Sequence, residues 1–261
     1  MKVCLVLTFV LTVLSQPGAS PVLAIQEAPT AQDSAANKAP KGDELKRLLE
    51  RIKSQSSSER REAIEQLADL GDSGAVEPLV AALKDPAPDV RASIANALGQ
   101  LGDKRAIAPL TSMLSDEVSF VRAAAARVLG ALGDAGAVDA LTGSLRDSNS
   151  TVRAAAAMGL GSLKDTRAVQ ALISAMRDEA PDVRSAAATA LGDLRDKRAV
   201  APLIQALKDE KMVKLAAALA LADIGDKGAV AALSEAVANE KDEETRSQMK
   251  EALQRLTAAP E

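Results

Sequence analysis

The sequence has no histidine, no tryptophan and no tyrosine, and only one cysteine. Without imidazole there is no histidine metal ligand, no imidazole general base and no Ser-His or Cys-His nucleophile pair. Cys4 lies at the very start, so the rest of the chain has no thiolate ligand and no disulfide; no metal site is expected. Aromatics are limited to Phe9 and Phe120. Single-strand binders rely on basic grooves and stacking aromatics, whereas this chain carries 32 Lys+Arg against 36 Asp+Glu, a net charge of −4. Nucleic acid is therefore not an expected partner. No motif calls for a cofactor. A carboxylate pair could serve as acid and base, but the acids fall on caps and surfaces, so the expectation is that the chain is not an enzyme.

Long apolar runs are also scarce. The one uncharged apolar run of note is Val3 to Leu14, preceded by Lys2 and broken by Ser15, Pro17 and Gly18. Val22-Leu23-Ala24 then offers small residues for cleavage. Residues 1–24 read as a secretory signal peptide cleaved near Ala24, which would make the protein exported, periplasmic or secreted. The run is short for a membrane span; the alternative is an uncleaved N-terminal anchor. Ile25 to Gly42, rich in Ala, Pro, Gln, Ser and Asn, reads as a disordered linker. No other membrane contact is expected.

From residue 43 to 257 the chain is built from a repeat. The stretch PDVRSAAATALGDLRDKRAVAPLIQALKD (181–209) recurs, with substitutions, at earlier positions in steps of 31 residues. The arginine after the valine keeps the register at Arg91, Arg122, Arg153 and Arg184. Arg60 precedes, and Lys214 and Arg246 follow after 30 and 32 residues. A fixed period of this size marks a solenoid. Each unit holds two amphipathic helical patterns. Val200, Leu203, Ile204 and Leu207 share a face in the helix before one repeat basic residue; Val183, Ala187, Leu191 and Leu194 share a face in the helix that carries another. Gly-Asp at 102–103, 133–134 and 225–226 closes the second helix and caps the next. Lys164 and Arg195 replace that glycine, which predicts strained or differently shaped joints. Gly130-Ala-Leu-Gly133 reads as a helix end, not a phosphate loop. The prolines at 78, 109 and 202 are expected to bend the first helix of their pairs.

The pattern VRxxAAxALGxLGDxRAVxPLIxALKD resembles the short HEAT repeat of the phycobilisome-lyase-like type, and consensus repeat proteins built from it. The resemblance implies an all-α fold, an α-solenoid of about seven antiparallel helix pairs, with polar end helices as caps and residues 258–261 as a tail. It also implies that the aspartates six residues before each repeat arginine (Asp85, Asp116, Asp147, Asp178) form an Asp–Arg ladder between successive turns. Some similar repeats are metal-dependent hydroxylases using His-Glu pairs; without histidine that role does not carry over. The resemblance to bilin lyases, which act on tetrapyrroles, leaves a lyase subunit or relative as an alternative, and a purely structural spacer is another.

Counted from the repeat basic residue, positions −1, +4, +7 and +10 are apolar and read as core. Positions +2, +5 and +9 share a second face, with −2 and +1 at its rim. In the resembled family that face is concave and carries binding. Its residues are polar at both ends of the repeat array and small or apolar at the centre. The candidate site, a groove for a protein or extended peptide, comprises Phe120, Arg127, Met158, Thr189, Met212, Leu215 and Leu219. Phe, Met and Arg are enriched at interfaces. The competing reading buries these side chains between neighbouring turns. The expected role is a non-catalytic scaffold or adaptor.

Overall fold

A computed structural model describes residues 41–258. The expected signal peptide and most of the expected linker lie outside these residues. Among the described residues, fourteen α-helices form seven antiparallel pairs: α1 (Lys41–Arg51) with α2 (Ser57–Leu70), α3 (Val76–Ala81) with α4 (Pro88–Leu101), α5 (Ile107–Met113) with α6 (Ser119–Leu132), α7 (Val138–Ser144) with α8 (Ser150–Leu163), α9 (Val169–Ala175) with α10 (Pro181–Leu194), α11 (Val200–Ala206) with α12 (Lys211–Ile224), and α13 (Val230–Asn239) with α14 (Glu243–Ala258). No strand occurs among the described residues. The chain is an all-α solenoid. Two edges shift: Lys41 and Gly42, assigned to the linker, form the first turn of α1, and Ala258, assigned to the tail, ends α14.

Joints repeat as the sequence repeats. Glycines 71, 102, 133 and 225 take the left-handed conformation at the C-terminus of an even helix. The following aspartate accepts a hydrogen bond from the backbone N–H two residues on, as Asp103 does from Arg105. A 3-10 turn then leads into the odd helix. This turn occurs ahead of Pro78, Pro109 and Pro202, but equally ahead of Ala140, Ala171 and Ala232 at the same place in the other repeats. The prolines therefore sit in the first turn of the odd helix, after a 3-10 turn that forms without them. Lys164 and Arg195 adopt the same left-handed conformation as the glycines, at φ 52. Their joints keep the common shape and carry the strain a Cβ imposes there.

In the first six pairs a leucine of the even helix anchors the core: Leu67, Leu98, Leu129, Leu160, Leu191 and Leu221 are all fully buried, opposite equally buried leucines of the odd helices such as Leu79, Leu110 and Leu141. Each contributes roughly 1.5–3 kcal/mol relative to exposure. Around them the two layers pack differently. Even helices lie against even helices along the whole stack, whereas odd helices have no extensive contact with one another. Glycine and alanine cause the close approach. A Cβ built on Gly130 would stand 2.4 Å from the Gly159 Cα, and one on Gly192 would stand 2.9 Å from the Ala220 Cα. Gly130 is thus a contact glycine between α6 and α8; Gly133 alone ends the helix. A stack whose one layer is tighter curves toward that layer, so the even helices line the concave face.

The ladder is present. Arg60, Arg91, Arg122, Arg153 and Arg184 each donate Nε and Nη2 to the aspartate 25 residues later, as Arg153 does to Asp178 at 2.7 and 2.8 Å. From Arg91 to Arg184, Nη1 donates to the backbone carbonyl of the aspartate six residues earlier. Each aspartate also accepts a backbone N–H in its own turn; Asp178 takes that of Ala180. These bonds hold the carboxyls of Asp147, Asp178 and Asp209 below the usual range. The last rung changes chemistry, with Lys214 donating to Glu240.

Candidate functional site

Three columns of the even helices reach solvent. At +5 every residue is exposed: Glu65, Asn96, Arg127, Met158, Thr189, Leu219 and Glu251. Positions −2 and +9 are largely exposed as well. Position +2 is not: Ala124, Ala155, Ala186 and Ala216 are buried. The tight even layer covers them, since small side chains bring neighbouring helices over that position. Only at the ends, where Glu62 stands at +2, does the column open. Positions +3 and +6 are also mostly buried, which the binary pattern did not single out because alanine is ambiguous between core and surface.

On these columns lie the large exposed apolar side chains of the described residues: Phe120 (49%), Met158 (56%), Met212 (46%) and Leu219 (37%). Burial between turns does not describe them. Phe120 and Arg127 stand two turns apart on α6, and Met158 occupies the equivalent of Arg127 on α8. Thr189, Met212, Leu215 and Leu219 come together, with Ser185 and Lys211, around one open depression of about 460 Å³ between α10 and α12. Leu215 is half-buried at its floor. Phe120, Arg127 and Met158 do not line that depression; they continue the same face over the two preceding even helices. Arg127 is exposed and makes no side-chain hydrogen bond or ion pair among the described residues.

Charged groups border the face. Gln100 donates to Asp69 across one repeat, at 3.1 Å, and Arg255 pairs with Asp223. Partial burial and the nearby Asp223 push the Asp193 carboxyl up, against the pull of Lys164 and Arg195. No cluster of three or more metal-ligating side chains occurs among the described residues. The opposite surface offers clefts between splayed odd helices: about 520 Å³ between α3 and α5, 430 Å³ between α9 and α11, and 310 Å³ between α11 and α13. The last lies over the Lys214–Glu240 rung.

The family profile for HEAT repeats matches residues 45–129, 119–181 and 169–254. The chain belongs to the HEAT-repeat family. Its fold is similar to that of YibA from Escherichia coli, at 21% identity and TM-score 0.63, over 84% of this chain and 82% of that one. It is similar to the CpcE–CpcF complex of phycocyanin lyase from Nostoc sp. PCC7120, at 24% identity and TM-score 0.55, over 90% and 92%. It also overlays 35% of Kap95p, in a complex with RanGDP, at 14% identity and TM-score 0.63, using 81% of this chain. At these identities the likeness is one of fold. No curated protein matches the sequence.

Proposed function

We propose that this chain is a non-catalytic scaffold whose concave face binds a protein or an extended peptide. The observation that carries the reading is the set of exposed apolar residues Phe120, Met158, Met212 and Leu219 on one face of α6, α8 and α12. A soluble surface that keeps large apolar groups in register marks an interaction site. Arg127 supplies an unpaired donor inside the run, and Thr189 a hydroxyl. Kap95p, a HEAT-fold neighbour, is described bound to RanGDP, a protein partner.

Several features weigh against catalysis. There is no histidine or tyrosine. The ladder carboxylates are held by arginines and backbone N–H groups. Asp193, the one described carboxyl displaced upward, stands exposed on an open face beside Asp223, which is held by Arg255. An acid–base pair needs an enclosed site with raised carboxyls. The likeness to the phycocyanin lyase complex extends to the fold and supplies no reacting group here. Export through residues 1–24 remains part of the proposal and rests on their sequence alone.

The test is partner capture by the full chain against Phe120→Ala/Met158→Ala. The double variant loses capture and keeps wild-type helicity by circular dichroism. Equal capture by both proteins contradicts the reading.

A further inference from the structure

The concave columns are far more acidic than the chain that carries them. At −2, +5 and +9, α2 and α4 present Glu65, Asp69 and Asp89. The columns of α10, α12 and α14 present Asp182, Asp193, Asp223, Glu244 and Glu251. Against these eight carboxylates the same columns hold only Arg127 and Arg255, and Arg255 is taken by Asp223. The face therefore carries an excess of six negative charges, more than the net −4 of the whole 261-residue sequence. The rest of the sequence is close to balanced. Among the described residues, the ladder aspartates and most joint aspartates are paired with cations. Nearby cations offset part of the excess: Arg61 approaches Asp89 at 3.6 Å, and Lys164 and Arg195 flank Asp193 at the rim.

The distribution along the stack is as uneven as the total. On α6 and α8 these columns hold Phe120, Arg127, Ala131, Thr151, Met158 and Ser162, with no acid. The acids lie on either side, sharing the C-terminal flank with Met212 and Leu219 of α12. From this order of charge and apolar surface we infer that the docking segment is a peptide with an apolar centre flanked on both sides by lysine or arginine. The inference rests on the docking reading above and adds the partner's chemistry. Unpaired acids on a surface attract a cationic segment and repel an acidic one, while the apolar centre fixes its register by burial. Long-range attraction of this kind fades as salt shortens the screening length from about 10 Å at 0.1 M toward 3 Å at 1 M.

The experiment uses the full chain and fluorescent synthetic peptides of equal length. One has lysines at both ends and leucine and methionine at the centre. A second has glutamates in place of the lysines. A third is oligolysine. Fluorescence anisotropy at low and high salt gives each affinity. The lysine-flanked peptide binds at least tenfold tighter than the other two, and its advantage over the glutamate-flanked one shrinks as salt rises. Glu65→Lys/Asp69→Lys/Glu251→Lys weakens it at least tenfold. The same charge change on the odd layer, Glu77→Lys/Asp139→Lys/Glu235→Lys, changes it less than twofold. Equal losses in both triple variants would reduce the effect to net charge and overturn the inference. So would oligolysine binding as tightly as the first peptide. Preference for the glutamate-flanked peptide, lost in Phe120→Ala/Met158→Ala, would overturn the charge inference and leave the docking reading standing. Binding of no peptide at all, with the concave double variant still capturing partner as wild type does, would overturn both.

Discussion

The two layers of the solenoid use the same residue types to opposite ends. In the even layer glycine and alanine draw helices together until backbone meets backbone, as at Gly130 and Gly159. In the odd layer, Gly143 on α7 has nothing within 4 Å of where a Cβ would stand. The even layer is therefore sealed between its helices, and three columns make up most of what reaches solvent. The odd layer is open, with clefts between its helices. The difference teaches that a surface for a macromolecule and a set of side clefts arise from one repeat, by how much volume each layer puts between helices.

The largest effect should come from the ladder that ties the layers together. Arg153 is buried, and its fork meets Asp178 in two parallel bonds. Arg153→Ala leaves a partly buried carboxylate unpaired and should cost about 3 kcal/mol. Urea unfolding read by circular dichroism measures it. Lys214→Ala, at the more exposed single-bond rung, should cost about 1 kcal/mol, which sharpens the contrast between regular and irregular repeats.

Next is one substitution made in both layers. Gly130→Ala forces a Cβ into the α8 backbone and should destabilise by about 2 kcal/mol. Gly143→Ala meets no neighbour, is helical, and should stabilise by about 0.5–1 kcal/mol. Thermal melts that give the same sign for both would break the comparison.

Acid should loosen the ladder before it affects the apolar core. The carboxyls of Asp116, Asp147, Asp178 and Asp209 are depressed in the folded state. Their contribution is present above the unfolded carboxyl value of about 3.9 and is lost as pH falls through the lower folded values. Unfolding midpoints should be flat from pH 7 to 5 and decline below about pH 4. Removing one rung with Asp178→Asn should flatten that decline in part.

The smallest effect concerns the joints. Lys164→Gly and Arg195→Gly relieve a left-handed backbone at φ 52. Glycine also adds freedom to the unfolded chain. The net should be a stabilisation of about 0.5–1 kcal/mol each. Gly102→Ala should go the other way, since its φ is 68 and space is not the obstacle.

Much of the fold was legible because it repeats. The 31-residue register located all seven pairs, three of the four left-handed glycines and the aspartates of the ladder. The ladder's wiring was less legible. The arginine's side-chain partner lies 25 residues onward, while the aspartate six residues back contributes its carbonyl; sequence distance does not say which carboxylate the fork reaches. The fate of the +2 alanines was hidden for a related reason. A period gives the order of helices but not the gap between them, and that gap is set by small residues in contact. The signal existed: glycines 99, 130, 161 and 192 recur in a column of their own, three residues ahead of the helix-ending position. Met158 and Phe120 were legible as candidates because large apolar residues interrupt columns otherwise small or polar.

The measurement that bears most directly on the central claim is photocrosslinking from two positions of the full chain. A photoreactive residue replaces Met158 in the even layer or Glu235 in the odd layer. The account predicts a single dominant adduct from position 158, displaced by excess lysine-flanked peptide, and none from position 235. Adducts from position 235 with none from position 158, in folded protein, would move the binding surface to the clefts of the odd layer and contradict the account.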